Sequence, residues 1–128
     1  MIEKSFSLTL LYNLRKESES CTDVKRLAVI LSVSAGLIVS VKVSQEAVAF
    51  VCEFLVHEFP RIRSVAAEKL YVRLLETDPD MGEDHAAIRF LLERKWESDW
   101  TLEKSDRSTY IQEMINAFKF DDETLFLQ

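Results

Sequence analysis

The side chains that most often perform catalysis are few in this chain, and their spacing matches no catalytic or zinc-binding motif. His57 is followed by Glu58, but the zinc-binding helix motif needs a second histidine four positions after the first, where Arg61 stands. Cys21 and Cys52 have no histidine and acid at a recognisable spacing, and the sequence has no glycine-rich phosphate loop. We therefore expect a protein that is not an enzyme.

An acidic loop between residues 77 and 84 is the other candidate metal site, in this case for calcium. Its aspartates are Asp78, Asp80 and Asp84. Its glycine, Gly82, comes one position too early for a calcium loop, and the twelfth position holds Arg89 where a bidentate glutamate is needed. We expect neither a metal ion nor any other cofactor.

A set of basic residues is the best candidate for a binding surface. The set consists of Arg61, Arg63, Lys69 and Arg73. We expect all four among the exposed or boundary residues of one helix, where they would suit an acidic partner protein. The alternative is that they are solvated and paired locally with Glu68 and Glu76.

The composition indicates which fold must position these side chains. The chain has 128 residues, of which 48% are hydrophobic and 30% are charged, so it can form a core and a solvated surface. Two glycines and two prolines are too few for the turns of a β-sandwich or barrel, which favours helices. The formal net charge of -6 argues against binding to nucleic acid through phosphate contacts.

Apolar residues at helical spacing predict six helices. The segments run from Phe6 to Arg15, from Val24 to Ala35, from Ser44 to Phe59, from Pro60 to about Asp78, from Ala87 to Trp96 and from Tyr110 to Phe118. Thr22 or Asp23 can cap the second helix, and Pro60 separates the third from the fourth. The alternation from Val39 to Val43 also fits a strand, but we prefer a frayed helix end because a single strand would have no partner.

The helices fall into about three hairpins that begin near Phe6, Ser44 and Asp84, a period of roughly 40 residues that is typical of HEAT and armadillo arrays. Val24-Lys25 and Ile62-Arg63 open the second helices of the first two hairpins. The expected fold is therefore an all-α, α-α superhelix over residues 1–119, followed by an acidic, loose tail at 120–128. An ordinary six-helix bundle is the alternative.

Two stretches resemble the C-terminal region of tubulin folding cofactor D. The first contains Phe59-Pro60-Arg61-Ile62-Arg63, then Ala67-Glu68-Lys69-Leu70-Tyr71 and Leu74-Leu75. The second contains Leu91-Leu92 followed by Trp96, Asp99 and Arg107. The loop from Thr77 to Glu83 departs from the family pattern, and the chain is far shorter than a whole cofactor.

The resemblance implies a non-catalytic chaperone module in β-tubulin capture and αβ-tubulin heterodimer assembly. Its partners would be β-tubulin, other tubulin-folding cofactors and an Arf-like small GTPase, and the assembly that they form would stimulate GTP hydrolysis by the αβ-tubulin heterodimer. The implied location is the cytoplasm, in association with the cytoskeleton, with no membrane contact. The alternatives are a structural cap that closes a HEAT solenoid and an unrelated HEAT-type scaffold.

Overall fold

A computed structural model describes residues 2–38, 44–77, 82, 85–97 and 107–118 of the chain. All regular secondary structure within these ranges is helical. The helices are α1 (Ile2–Ser18), α2 (Val24–Gly36), α3 (Ser44–Glu53), a short 3-10 helix (Phe54–Val56), α4 (Pro60–Thr77), α5 (Ala86–Glu93) and α6 (Arg107–Phe118). The all-helical prediction is confirmed for these ranges, whereas the possible strand at Val39–Val43 and the tail at 120–128 lie outside them.

Local chemistry explains where the helices begin. Asp23 caps α2, because its Oδ1 atom accepts hydrogen bonds from the backbone N–H groups of Lys25 (3.0 Å) and Arg26 (3.4 Å). Of the two residues predicted as possible caps, Asp23 is therefore the one that caps α2. Pro60 occupies the first position of α4, where a missing N–H group costs nothing.

Two predicted helices end earlier than expected. The third helix was expected to reach Phe59, but α3 ends at Glu53 and continues only as the 3-10 turn. The fifth was expected to reach Trp96, but α5 ends at Glu93, and Arg94 is extended with φ of -96° and ψ of 145°. Trp96 still lies in the core, as predicted, and its Nε1 atom donates to the carbonyl oxygen of Leu91 at 2.9 Å.

The predicted core is largely correct for α2 to α6. Its fully buried large side chains include Leu27, Leu31, Phe50, Leu55, Ile62, Leu70, Leu74, Ile88, Met114 and Phe118. The prediction is wrong for Leu8, Tyr12, Val24 and Leu92, which are exposed. For Leu8 and Tyr12 the reason is that α1 packs mainly against α2, so only a narrow stripe around Leu11 is covered.

Helices that follow each other in the chain pack together, α1 against α2 and α3 against α4. The most extensive contact between two helices is that of α2 with α4, the second helices of the first two pairs. The third pair is arranged differently, because α5 lies against α4 whereas α6 lies chiefly against α3. The first two pairs are therefore joined chiefly through α2 and α4, and the third pair contacts the second through both of its helices.

Candidate functional site

The four basic residues that the sequence analysis selected do not form one surface. Arg61 is exposed at the start of α4, and Lys69 is half-buried further along the helix. Arg63 is buried with 3% of its surface exposed, and Arg73 is partly buried. Only Arg61 and Lys69 therefore remain candidates for direct contact with a partner.

Arg63 corrects the prediction that it is an exposed or boundary residue. Its Nε atom donates to the carbonyl oxygen of Trp96 at 2.9 Å, and its Nη1 atom donates to those of His57 (2.8 Å) and Glu58 (3.4 Å). These carbonyl groups lie in non-helical turns and take no part in helical hydrogen bonds, so a side chain such as Arg63 must supply the donors. Burial lowers the pKa of Arg63, but the guanidinium stays protonated because arginine begins so far above neutral pH.

Arg73 joins α4 to the end of α2. Its Nη2 atom donates to the carbonyl oxygen of Ile38 at 2.9 Å, and its Nη1 atom is paired with Glu76. A cation at the C-terminal end of a helix is stabilised by the carbonyls that lack helical partners there. Arg73 therefore acts at the contact between two hairpins, although part of its side chain still reaches solvent.

The outer face of α4 carries mixed charge. Helical periodicity places Arg61, Glu68, Val72 and Glu76 along this face, and all four are exposed. One guanidinium and two carboxylates do not create the positive potential that the sequence analysis expected. The ion pair of Arg73 with Glu76 agrees instead with the alternative that the basic residues are paired locally with glutamates of the same helix.

Neither cysteine is placed for nucleophilic chemistry. Cys52 is completely buried, and burial, with a smaller contribution from the charge of Glu53, raises the pKa of its thiol far above neutral pH. Cys21 is half-buried, and its thiol donates to the carbonyl oxygen of Asp23 at 3.7 Å. Among the described residues, no group of three or more His, Cys, Asp and Glu side chains is arranged to hold a metal ion.

A groove that the sequence analysis missed lies between the end of α1 and the turn that follows α3. Its volume is about 430 Å³, and we call it the Arg15 groove. It is lined by Arg15, Ser18, Glu19, Phe50, Glu53, Phe54, Val56, His57 and Glu58. These residues are close in space because the end of α1 lies beside α3, where Arg15 bonds Glu53, and no local sequence pattern reveals this contact.

Aromatic rings form a continuous series from the Arg15 groove to Phe59, which lies just beyond it in the sequence. The rings of Phe50 and Phe54 meet edge to face with centroids 5.2 Å apart, and Phe54 stacks on the His57 imidazole at 5.7 Å. His57 contacts Phe59 at 4.9 Å, and its Nδ1 atom accepts a hydrogen bond from the Phe59 backbone N–H group. His57 is therefore part of a packed turn.

Arg15 fills part of the groove with its own guanidinium. Its guanidinium lies over the Phe50 ring, 4.6 Å from the centroid. Its Nη1 atom also donates to both carboxylate oxygens of Glu53, at 3.2 and 3.3 Å. The groove thus already holds one guanidinium between an aromatic face and a carboxylate, a combination that is favourable for cations.

Among the side chains whose exposure the structure describes, most of the exposed large apolar ones lie on α1 and α2. Of the seven large apolar side chains that are exposed within the described ranges, five belong to α1 and α2. They are Leu8, Tyr12, Val24, Val29 and Val33. Val29 and Val33 are one helical turn apart, so they form a short apolar ridge on α2.

Comparison with protein-family models, with curated proteins and with solved structures finds no match to this chain. In the part of the chain that the structure describes, no helix is both long enough and apolar enough to cross a membrane.

Proposed function

We propose that this chain is a non-catalytic protein-binding module whose helical hairpins stack in the HEAT manner. By its local likeness to tubulin folding cofactor D, the module would act in β-tubulin capture and in assembly of the αβ-tubulin heterodimer. Its partners would be β-tubulin, other tubulin-folding cofactors and an Arf-like small GTPase. Binding alone is sufficient for this role, since a surface that prefers one state of a partner shifts its population without catalysis.

The observation that best supports a repeat array is a spacing that recurs in sequence and in space. Arg15 of α1 and Glu53 of α3 are bonded to each other and are 38 residues apart. Val24 and Ile62, which open α2 and α4, are also 38 residues apart in the sequence. A common offset for both helices of a hairpin is what stacked repeats of nearly equal length produce.

The outer side of the first hairpin is the surface that we propose for binding. Its ridge of Val29 and Val33 is exposed, although α2 also packs against α4. A partner helix can therefore cover the ridge without disturbing the core. Arg61 and Lys69 are the basic residues that remain available on α4. Arg63 is assigned to the interior of the fold and not to the interface.

A structural cap is the second candidate function, and the packing of α6 favours it. Tyr110, Met114 and Phe118 of α6 are buried, and α6 lies mainly against α3. This contact covers part of α3, as a terminal repeat must if it closes a solenoid. The two roles are compatible if the third hairpin closes the stack while the first binds a partner.

A binding experiment with purified components tests the proposed function. The chain is immobilised and incubated with purified αβ-tubulin, with the other tubulin-folding cofactors, and with the small GTPase, each in turn. We expect at least one to be retained, and we expect Val29→Glu with Val33→Glu to reduce retention at least fivefold. The matched control is Val72→Glu, which adds a charge at a similarly exposed valine on α4.

Two outcomes would contradict parts of this proposal. If none of these proteins is retained by the folded chain, the tubulin-assembly role is wrong. If retention occurs but Val72→Glu weakens it as much as the double substitution on α2, the first hairpin is not the binding surface. Far-UV circular dichroism of each variant shows whether its helices are intact.

A further inference from the structure

We propose that the two histidines of this chain, His57 and His85, form an acid-sensitive latch, which keeps the turns before α4 and α5 closed only while both imidazole rings are neutral. We call this pair the histidine latch. Both side chains are half-buried, so protons from the solvent can reach them. The latch goes beyond the proposed binding function, because it rests on the geometry of two turns and requires no particular partner.

The two histidine rings accept hydrogen bonds in the same way. The Nδ1 atom of His57 accepts from the backbone N–H group of Phe59 at 3.0 Å, and that of His85 accepts from the N–H group of Ala87 at 3.1 Å. In each case the donor lies two residues further along the chain. A ring nitrogen can accept only if it carries no proton, so each ring is neutral with its proton on Nε2.

Both turns lie where a helix begins. Phe59 precedes the first residue of α4, and its carbonyl oxygen accepts a hydrogen bond from the N–H group of Arg63 at 3.1 Å. His85 is the N-cap of α5, in which Ile88 and Leu91 are buried. Since α5 lies against α4, the two histidines stabilise both sides of the junction between the second and third hairpins.

Protonation of either ring breaks its hydrogen bond. An imidazolium carries an N–H group on both nitrogens, so its Nδ1 atom would face the backbone N–H group with one donor against another. At His85 the new charge would also lie at the positive end of the α5 dipole. The latch is therefore closed above about pH 7 and opens as the pH falls toward about 5, the range in which histidine side chains usually titrate.

The charged groups around His57 do not compensate for this loss. The Arg63 guanidinium donates to the His57 carbonyl oxygen at 2.8 Å, and it disfavours a second positive charge nearby. The other charged residues that line the groove with His57 are Arg15, Glu19, Glu53 and Glu58. In this set the arginine is paired with one glutamate, and the other two glutamates are exposed and screened by solvent.

The charged groups around His85 are also exposed. Glu113 of α6 lines a small pocket together with His85, but its side chain is exposed, so water weakens its attraction for an imidazolium. Arg89, one turn further along α5, is paired with Glu93. The direct contact of Nδ1 with the Ala87 N–H group therefore determines which form of His85 the turn favours.

NMR spectroscopy of the complete chain tests the latch. At about pH 8, the imidazole ¹⁵N shifts of both histidines should show a proton on Nε2 and none on Nδ1. Protection of the Phe59 and Ala87 amides from hydrogen exchange, corrected for the intrinsic rate at each pH, should fall about fivefold from about pH 7.5 to about pH 5, the usual effect of losing a cap. The Lys25 amide, whose acceptor is the carboxylate of Asp23, is the internal control and should show no such fall.

Asparagine provides the matched replacement for each histidine. Its side-chain oxygen can accept from the N–H group two residues ahead, as imidazole does here, but it does not titrate. In His57→Asn the Phe59 amide should keep its protection at about pH 5 while the Ala87 amide still loses it, and His85→Asn should give the reverse. Far-UV circular dichroism at both pH values shows whether the helices are intact.

Three results would overturn the latch. The first is a proton on Nδ1 of either histidine at about pH 8, since Nδ1 could then not accept a hydrogen bond. The second is equal protection of the Phe59 and Ala87 amides at the two pH values in the wild-type protein. The third is an equal loss of protection in the wild-type protein and in the asparagine variants. The first two measurements need only the wild-type chain, so they hold even if a variant does not fold.

Discussion

The Nε atom of Arg63 donates to the carbonyl oxygen of Trp96 at 2.9 Å and thereby joins the start of α4 to the segment that follows α5. The Nη1 atom of the same side chain donates to His57, in the turn before α4. One buried guanidinium therefore holds two non-helical segments that belong to different hairpins. Trp96 is itself buried, so the contact lies inside the protein and is shielded from salt.

Replacement of Arg63 by methionine should destabilise the protein strongly. Methionine retains much of the side-chain volume but removes every donor, which leaves buried carbonyl oxygens without hydrogen bonds. We expect the free energy of unfolding to fall by about 2–4 kcal/mol, as measured by urea denaturation followed by circular dichroism.

A neighbouring arginine supplies the control for this prediction. Arg61→Met should change the free energy of unfolding by less than about 0.5 kcal/mol, because Arg61 is exposed. Arg63→Lys should give an intermediate loss, since an ammonium group keeps the charge but lacks the fork that reaches several carbonyls. Equal losses for Arg61→Met and Arg63→Met would show that Arg63 does not have the structural role described.

The fold could be predicted from the sequence wherever short-range chemistry determines it. Asp23 is followed by N–H groups that need an acceptor, and Pro60 restricts the residue before it, so both helix boundaries are evident locally. Helical periodicity in α2 and α4 likewise indicates which side is buried. These signals are independent of the final arrangement of the helices.

The candidate site could not be predicted in the same way, because it depends on contacts between residues that are far apart in the sequence. Arg63 and Arg61 are both cationic residues at the start of a helix, yet only Arg63 faces the carbonyls of other segments. Tyr12 fits an apolar helical face, but that face is covered only if another helix packs on it. The pairing of Arg15 with Glu53 requires the register between two hairpins, which periodicity within one helix does not define.

Loss of the α2 cap gives a second prediction. Asp23→Ala removes the carboxylate that accepts hydrogen bonds from Lys25 and Arg26, and it also removes a negative charge from the positive end of the helix dipole. We expect a loss of about 1 kcal/mol in the free energy of unfolding. Thr22→Ala, which alters the neighbouring candidate for the cap, should lower the free energy of unfolding by less than half as much. A larger loss for Thr22→Ala than for Asp23→Ala would contradict the assignment of Asp23 as the cap of α2.

The buried thiol of Cys52 predicts a dependence of stability on alkaline pH. Burial raises the pKa of this thiol in the folded protein, so the unfolded chain loses the proton first, from its ordinary value of 9.0 upward. The contribution of Cys52 to stability is therefore complete below about pH 9 and is lost as the pH rises further. The expected slope is up to about 1.4 kcal/mol per pH unit.

Comparison with a variant isolates this contribution from the other groups that titrate at alkaline pH. Urea denaturation of the wild-type protein and of Cys52→Ala should be compared at about pH 8, 9 and 10, with a reducing agent present. The difference in free energy of unfolding between the two proteins should change only above about pH 9, in the direction that favours Cys52→Ala. Parallel curves over this range would mean that the Cys52 thiol loses its proton as readily in the folded protein as in the unfolded chain, and would contradict the effect of burial.

The ion pair of Arg15 and Glu53 predicts a measurable coupling between the first two hairpins. In a double-mutant cycle with Arg15→Gln and Glu53→Gln, we expect a coupling energy of about 0.5 kcal/mol, since both side chains are more than one-third exposed and partly screened. The more exposed pair of Arg26 with Glu17 is the control, and its coupling should be smaller. High salt should reduce the coupling energies of both ion pairs, because it screens exposed charges. The contact of the Arg15 guanidinium with the Phe50 ring should be less sensitive to salt, because that cation is partly desolvated. A coupling for Arg15 and Glu53 no larger than the control would show that this contact does not help to hold the two hairpins together.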